Sequence, residues 1–498
     1  MKKASLLLLS ACTYFSFPAL AQNEIDALRY GQLSGGATAL SLGLGGSGGA
    51  MGGDFSALAL NPAGLGVYRS SEFTFTPTLR FNKANSTYLS NTSSDDRTKL
   101  NVGNFGLVFT NAATGKKYKN RKWKSFSIGL GYNRLADFHQ QVQYSGYNNQ
   151  SSIAEIFSAS AQTYGVGVNV APPWGFLAYE GYLLDDNFYS IVPYQDGLMQ
   201  SKSYETKGGV GEYSLSFGGN YQEKILLGLS IGFQDFNFER YQRYSEDDVS
   251  GNNNNNFSYL DYYENTVTRG MGVNVKLGAV YVVNDMLRLG LAFHTPTWSG
   301  MNDTSVYSLQ SNTENYKSDI GEPNSNPETY ADPQAIYQFK YGLNTPWRGI
   351  LSATALLGHY GMINADYEVV GYNAMRYHMR DYRDYAAAVN DAIRQTYTLG
   401  HVARIGVEGR LNRFMGRLGF AYHSSPFKDA ATFGGSQVDM SIGAGLRFGS
   451  FFIDAGYMHS IYKVAEYAYP ALVSGIPTGI ADLKFGNNIV ALTVGIKM

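Results

Sequence analysis

The sequence predicts an all-β protein: a closed antiparallel β-barrel of about fourteen strands that spans a membrane, with an N-terminal segment plugging its lumen. Three observations predict it. Large apolar residues alternate with small polar ones in segment after segment. Tight turns alternate with long polar connections. Tyrosine (39) and glycine (57) are abundant while charged residues are only 16% of the 498, against about 25% in an ordinary soluble domain. A net charge of −1 supplies no bulk attraction to nucleic acid. An apolar content of 44% argues against disorder. Beyond the N-terminus no apolar run reaches the ~18 residues that a spanning helix needs, which leaves strands to do the crossing.

The elements follow in chain order. Lys2 and Lys3, the apolar stretch Ala4–Leu20 and the small-x-small site Ala19-Leu20-Ala21 read as a secretory leader over residues 1–21. Cys12 is the only cysteine, and Leu9-Ser10-Ala11-Cys12 also fits a lipoprotein box. Cleavage after Ala21 would leave a mature chain without disulfides, held by backbone pairing and packing. Residues 22–70 do not alternate. Gly35-Gly36-Ala37 and the glycine-dense run Gly43–Gly53 lead into Asp54-Phe55-Ser56-Ala57-Leu58-Ala59-Leu60 and Asn61-Pro62-Ala63-Gly64-Leu65. This segment is too short for a domain and too apolar for an aqueous tail, so it is expected to plug the lumen. Asp54–Asn61 is expected to form a short helix ended by Pro62, with Gly64 at positive φ. A plain turn feeding the first strand is the alternative.

Residues 71–498 form the barrel. Phe126, Ile128, Leu130 and Tyr132 oppose Ser127, Gly129, Gly131 and Asn133, and Leu227, Leu229, Ile231 and Phe233 oppose Gly228, Ser230, Gly232 and Gln234. Strands are expected at 71–82, 99–112, 123–145, 209–222, 224–244, 267–283, 286–298, 334–358, 362–372, 396–410, 412–424, 436–449, 451–464 and 484–498. Gln222-Glu223, Asn284-Asp285, Leu411-Asn412 and Gly449-Ser450 read as tight hairpins, with long polar segments such as 83–98, 146–208 and 245–266 between them. Short turns on one rim and long loops on the other are the outer-membrane pattern. In lipid only a closed sheet satisfies every backbone group. The large parity then faces lipid, and the tyrosines fill two interfacial girdles.

The glycine-rich lead, Asp54–Leu65 with its Asn61-Pro62-Ala63 core, and the strand after it resemble the outer-membrane long-chain fatty-acid and hydrocarbon transporter family (FadL-type). The continuation Tyr68-Arg69-Ser70-Ser71-Glu72-Phe73 is similar to Bacteroidetes members. The resemblance implies a monomeric fourteen-stranded barrel delivered by the barrel-assembly machinery, with its N-terminus on the periplasmic side. It also implies a hatch containing Asp54, Phe55, Leu58, Leu60, Asn61, Pro62, Ala63 and Gly64, and passive uptake of a hydrophobic small molecule. In that family the ligand leaves sideways where the third strand kinks, which maps onto Asn133 and Arg134. Two features depart from the family: the chain ends in Met498 rather than an aromatic residue, and no ligand-pocket motif is matched.

Other chemistry has little support. Gly43-Leu44-Gly45-Gly46-Ser47-Gly48 fits G-x-G-x-x-G, but no strand precedes it and no βαβ unit surrounds it. The seven histidines form no H-E-x-x-H and no G-x-S-x-G elbow is present, so neither a metal, a cofactor nor an enzymatic activity is expected. Haem uptake through scattered loop histidines stays open as an alternative substrate. Glu246-Asp247-Asp248 beside Asn252–Asn256 lacks EF-hand spacing and reads as a solvated loop. Ser151–Gln162 and Asp381–Ala388 read as loop helices. Ile153, Ile156 and Phe157 at helical spacing either pack locally or line an apolar vestibule. A second functional class is a non-transporting barrel that acts as a secretion scaffold or shuttle. A ligand-sized apolar pocket would favour transport, and a filled lumen with a large exposed outer patch would favour the scaffold.

Overall fold

The computed structural model describes residues 24–33, 38–316, 328–470 and 477–498. The leader, Cys12 and Gly35-Gly36-Ala37 lie outside the described residues. Period-2 alternation becomes strand wherever both faces can be used, and the strands close on themselves. β1 (Glu72–Tyr88), β2 (Asn91–Ala112), β3 (Trp123–Asp137) with β4 (Gln140–Asn148), β5 (Leu198–Tyr221), β6 (Ile225–Asp248) and β7 (Tyr259–Val282) make the first six staves. β8 (Leu287–His294) with β9 (Trp298–Asn312) make the seventh, and β10 (Glu328–Ala331), β11 (Tyr337–Asn344) and β12 (Arg348–Leu356) the eighth. β13 (Gly361–Gly371) with β14 (Arg376–His378) form the ninth. β15 (Leu399–Leu411), β16 (Phe414–His423), β17 (Gly434–Phe448), β18 (Phe451–Tyr467) and β19 (Ile480–Lys497) complete fourteen. Every pairing is antiparallel, and β19 returns to β1 with Phe73 opposite Ile496 and Phe81 opposite Asn488. The sheet thus closes on itself, as a membrane barrel requires.

The parity expected from sequence is the parity observed. Leu227 and Leu229 point outward at 45% and 37% exposure, whereas Leu226 and Ser230 are at 1% and 0%. The outer wall is therefore apolar, and the inner wall is polar or small. The short turns also fall as expected, with Gln222 and Glu223 at φ 55° and 60° between β5 and β6.

Several expectations are corrected. Residues 83–98 are not a long loop. β1 and β2 continue through them into a tight hairpin at Leu89-Ser90, whose φ values of 45° and 71° suit the twist of a two-residue turn. The expected single strand 334–358 is broken around Pro346 and 286–298 around Pro296, because proline cannot donate to a ladder. β5, β6 and β7 run 24 residues each. Tilted as barrel strands are, that is ~60 Å of height against an apolar band of ~25 Å, so their upper halves stand clear of lipid on the long-loop rim. The tyrosines are divided. Tyr213, Tyr281 and Tyr422 face outward, but Tyr30, Tyr88, Tyr144, Tyr244, Tyr307, Tyr377 and Tyr397 are fully buried in the lumen and its cap.

Candidate functional site: the plugged lumen and its wall

The described N-terminal residues lie inside the barrel. α1 (Glu24–Gly31), α2 (Ala39–Gly43), α3 (Ala57–Leu60) and a 3-10 turn at Pro62–Val67 are short because the run between them is mostly glycine. Gly45, Gly46, Gly48, Gly52 and Gly53 have positive φ, a conformation that costs only glycine nothing. Gly64 does not. It sits within the 3-10 turn, where a Cβ would lie 2.8 Å from the Ala57 methyl and 3.0 Å from the Gly52 Cα. Close approach, not positive φ, is what this position requires.

Asp54, Phe55, Leu58, Leu60, Asn61, Pro62, Ala63 and Gly64 are all buried and adjacent. The Asp54 carboxylate accepts from Thr38 Oγ1 at 2.8 Å and from Ser56 N–H at 3.0 Å. Asn61 joins the two halves of the plug. Its Oδ1 accepts from Ala63 N–H at 3.1 Å, and its Nδ2 donates to the Gly49 carbonyl at 2.7 Å. Pro62 follows at the first position of the 3-10 turn, where a missing N–H costs nothing.

The wall supplies the rest, and these partners were not found from sequence. Asp366 on β13 accepts from the Gly48 and Gly49 N–H groups at 2.9 and 3.1 Å. Arg288 donates to the Met51 carbonyl at 2.8 Å, Ser441 to the Gly43 carbonyl at 3.2 Å and Arg348 to the Gly31 carbonyl at 2.7 Å. His294 Nε2 lies 3.0 Å from the Leu60 carbonyl. The inward glycines of the strands form the socket. A Cβ on Gly278 would fall 2.0 Å from Asn61 Oδ1, on Gly228 2.2 Å from Ala63 N, and on Gly106 2.0 Å from the Phe55 ring. Inward glycines and a buried aspartate on the polar parity were the available signal, but alternation alone does not say what they face.

Beside the plug lies a cavity of about 40 Å³ lined by Leu60, Leu135, Gln234, Asn274, His294 and the Glu212–Lys276 ion pair. It has room for about three waters. Glu368, on the same lining, is clamped by Arg348 at 2.8 Å and Arg404 at 2.6 Å. Above it α1 fills an apolar chamber. The Tyr30 ring packs edge-on against Phe236 and Phe138 at 5.8 and 6.0 Å, with Leu28, Met301, Leu343 and Met375 around them.

Asn133 and Arg134 stand where the barrel wall changes. The β2–β3 ladder ends at Asn104 opposite Asn133, the β3–β5 register shifts between Arg134 and Ala136, and the strand is interrupted before Gln140. β4 then pairs with β5 alone, so residues 91–103 of β2 have backbone partners only on β1. Side chains span the break. Asn101 on β2 donates to Asp137 at 2.7 Å, where Arg134 of β3 itself also donates at 3.0 Å, and Asn82 on β1 donates to the His139 carbonyl at 2.5 Å. Among the described residues, the buried Asn104 and Asn133 amides find no hydrogen-bond partner.

The long-loop rim is capped by α5 (Ile153–Tyr164) and α6 (Trp174–Glu180). Ile153, Ile156 and Phe157 are at most 2% exposed, packed with Trp174, Leu177 and Tyr262. They are the core of a closed cap and do not line open space. Glu246 is no part of a solvated loop. It is buried at the top of β6, accepting from Ser152 Oγ and Ile153 N–H at the start of α5, from Gln200 Nε2 on β5 and from Tyr244 OH. Burial without a cation pushes its pKa up to about 7. α7 (Arg383–Thr396), the second expected loop helix, packs Val389 and Ile393 onto the apolar chamber. Among the described residues no three His, Cys, Asp or Glu side chains gather as a metal site.

No family model and no curated protein matches the sequence. Solved structures do match in shape. A FadL homologue from Pseudomonas aeruginosa superposes with a TM-score of 0.58 at 12% identity, over 92% of this chain and 98% of that one. The toluene transporter TodX of P. putida gives 0.52 at 12% identity over 93% and 99%. The toluene transporter TbuX of Ralstonia pickettii gives 0.51 at 14% over 93% and 99%. A closed fourteen-stave barrel, a plug threaded from the N-terminus and near-complete coverage of both chains together give this protein the FadL-type transporter fold.

Proposed function

We propose that this chain is an outer-membrane channel for passive uptake of a hydrophobic small molecule. Its N-terminus and short-turn rim would face the periplasm, and residues 24–70 would act as a gate. The observation that carries the reading is the combination of a filled lumen with a broken wall. The plug is held to the barrel by a few hydrogen bonds spread over several staves, and the β2–β3 ladder stops beside it at Asn104 and Asn133. A 40 Å³ cavity admits no fatty acid or aromatic ring. Passage therefore requires α1 and the plug to shift, by no more than the ligand's differential affinity for the two arrangements. The kink at Asn133-Arg134 would be the sideways exit, and the cap around Ile153, Ile156 and Phe157 the first capture surface once opened. The similar solved proteins, by their names, carry toluene or belong with FadL, and the apolar chamber around Tyr30 is of matching character.

The test is native mass spectrometry of the detergent-purified protein, followed by uptake of whatever co-purifies into liposomes. A hydrophobic small molecule bound and transported is the expected result. The filled lumen also suits the scaffold class. A barrel that carries no small molecule, and whose conductance and uptake ignore removal of the plug, would be a scaffold instead.

A further inference from the structure

One patch of the outer wall is built against its own charge. Up β19, the outward positions Ile496, Val494, Leu492 and Val490 are apolar, then Asn488, Gly486 and Lys484 follow. Up β18, Phe451, Ile453, Ala455 and Tyr457 are followed by His459, Ile461 and Lys463. Up β1, Phe73, Phe75, Leu79 and Phe81 end at Lys83. The apolar band thus gives way to lysine at one height on three adjacent staves. Lys463 and Lys484 are direct cross-strand partners, and Lys83 is diagonal to Lys484, since Asn85 is the residue opposite it. All three are exposed. Among the described residues none makes an ion pair or a side-chain hydrogen bond.

Like charges directly opposite on one face destabilise a sheet. Asp96 is the cross-strand neighbour of Lys83 and Asp482 lies two residues above Lys484. Asp482 is opposite Ala465 and so diagonal to Lys463, but among the described residues neither acid makes an ion pair with the facing lysines, which leaves them for an outside anion. Directly below, toward the apolar band, Met440, Ile442, Tyr457, His459 and Asn488 line a groove of about 400 Å³. Beside it Gly486 brings no side chain, and a Cβ there would meet only the His459 ring, at 3.8 Å. Among the described residues no other pair of unpaired lysines faces across the wall at this height. On β6 and β7 Arg269 is spent on Glu239, and on β5 Lys207 is spent on Glu205.

We propose that this patch is a binding site for a phosphorylated, acylated lipid of the leaflet at the long-loop rim. The phosphate would sit between Lys463, Lys484 and Lys83, and one acyl chain would lie down the groove past Tyr457 and Met440. Phosphate oxygens take charge-assisted hydrogen bonds from ammonium groups and remove the repulsion between the facing lysines. The lysine stems reach from the apolar wall to the headgroup plane. The site needs only that the barrel spans a bilayer, so it stands or falls separately from small-molecule uptake.

The test is native mass spectrometry of the detergent-solubilised full chain titrated with a bisphosphorylated, acylated glucosamine disaccharide lipid, with its dephosphorylated counterpart, and with inorganic phosphate. Retention of the phosphorylated lipid is expected to exceed that of the dephosphorylated form by about tenfold. Lys463→Gln with Lys484→Gln should remove most of the difference, Lys83→Gln part of it, and Lys340→Gln on β11 none. Heat-modifiable mobility in gels verifies that each variant is an assembled barrel. Equal retention of both lipids, an unchanged preference in the double variant, or displacement by millimolar inorganic phosphate alone would overturn the lipid site.

Discussion

Glycine at an inward wall position sets how closely the plug can seat. Gly278 and Gly228 leave just the space that Asn61, Pro62 and Ala63 occupy. Gly278→Val should unseat the plug turn without disturbing the strands, raising ion conductance in planar bilayers, while Gly300→Val, with open space around it, should leave conductance unchanged. Asn61→Ala removes both partners that link the glycine loop to the 3-10 turn. Leaving the buried Gly49 carbonyl and Ala63 N–H unpaired should cost about 1–3 kcal/mol, and conductance should rise in the same direction but less. On the other face, Leu229→Arg should destabilise the barrel by about 2–4 kcal/mol in urea titrations within lipid. Ser230→Ala loses one 2.7 Å hydrogen bond to Ser216 and should cost about 1 kcal/mol. Equal costs at the two positions would contradict the register.

At the scale of elements, two units are built to be looser than the wall. The first is the plug, whose glycine loops contribute few side chains and whose anchors are a few hydrogen bonds spread over several staves. Removal of residues 38–60 should leave a heat-modifiable barrel, because every ladder survives, while opening conductance and abolishing selective uptake. The second is the cap. The start of α5 is tied to β6 through Glu246, with Tyr244, Tyr88 and Tyr469 as the titratable neighbours. Its folded pKa of about 7 lies above the ordinary 4.5, so the folded cap holds a proton that the unfolded segment releases. The contribution is complete below pH ~4.5 and is lost as pH rises through about 7. Hydrogen exchange in Ile153–Tyr164, corrected for intrinsic rate, should therefore be faster at pH 8 than at pH 5.5, and Glu246→Gln should remove the difference.

At the scale of the whole molecule, the wall itself is closed everywhere that β1 meets β19 but is held by side chains alone where β2 meets the upper third stave. If ligand leaves there, tying Asn101 to Asp137, which already touch at 2.7 Å, should block it. Asn101→Cys with Asp137→Cys, oxidised, should lower liposome uptake of the co-purifying ligand, and dithiothreitol should restore it. Unchanged uptake in the oxidised form would place the exit elsewhere.

The sequence by itself determined the barrel, the direction in which each strand faces, and the segment that fills the lumen. Those properties are written in local periodicity. Leu229 and Ser230 declare their faces because strand side chains alternate, and Asp54–Leu65 declares itself by failing to alternate. Tertiary structure decided everything that depends on which staves become neighbours. Residues 83–98 look like a polar loop until β2 and β1 pair through them, since a strand that rises above lipid no longer needs an apolar face. Glu246 reads as one acid among several in a loop, yet the cap arriving from residues 149–197 buries it. Asp366 and Gly278 carry no local signal of a plug socket, because their partners lie more than two hundred residues away in sequence. Lys463 and Lys484 become a facing pair only through the β18–β19 register. Alternation fixes orientation, but only the closed sheet fixes company.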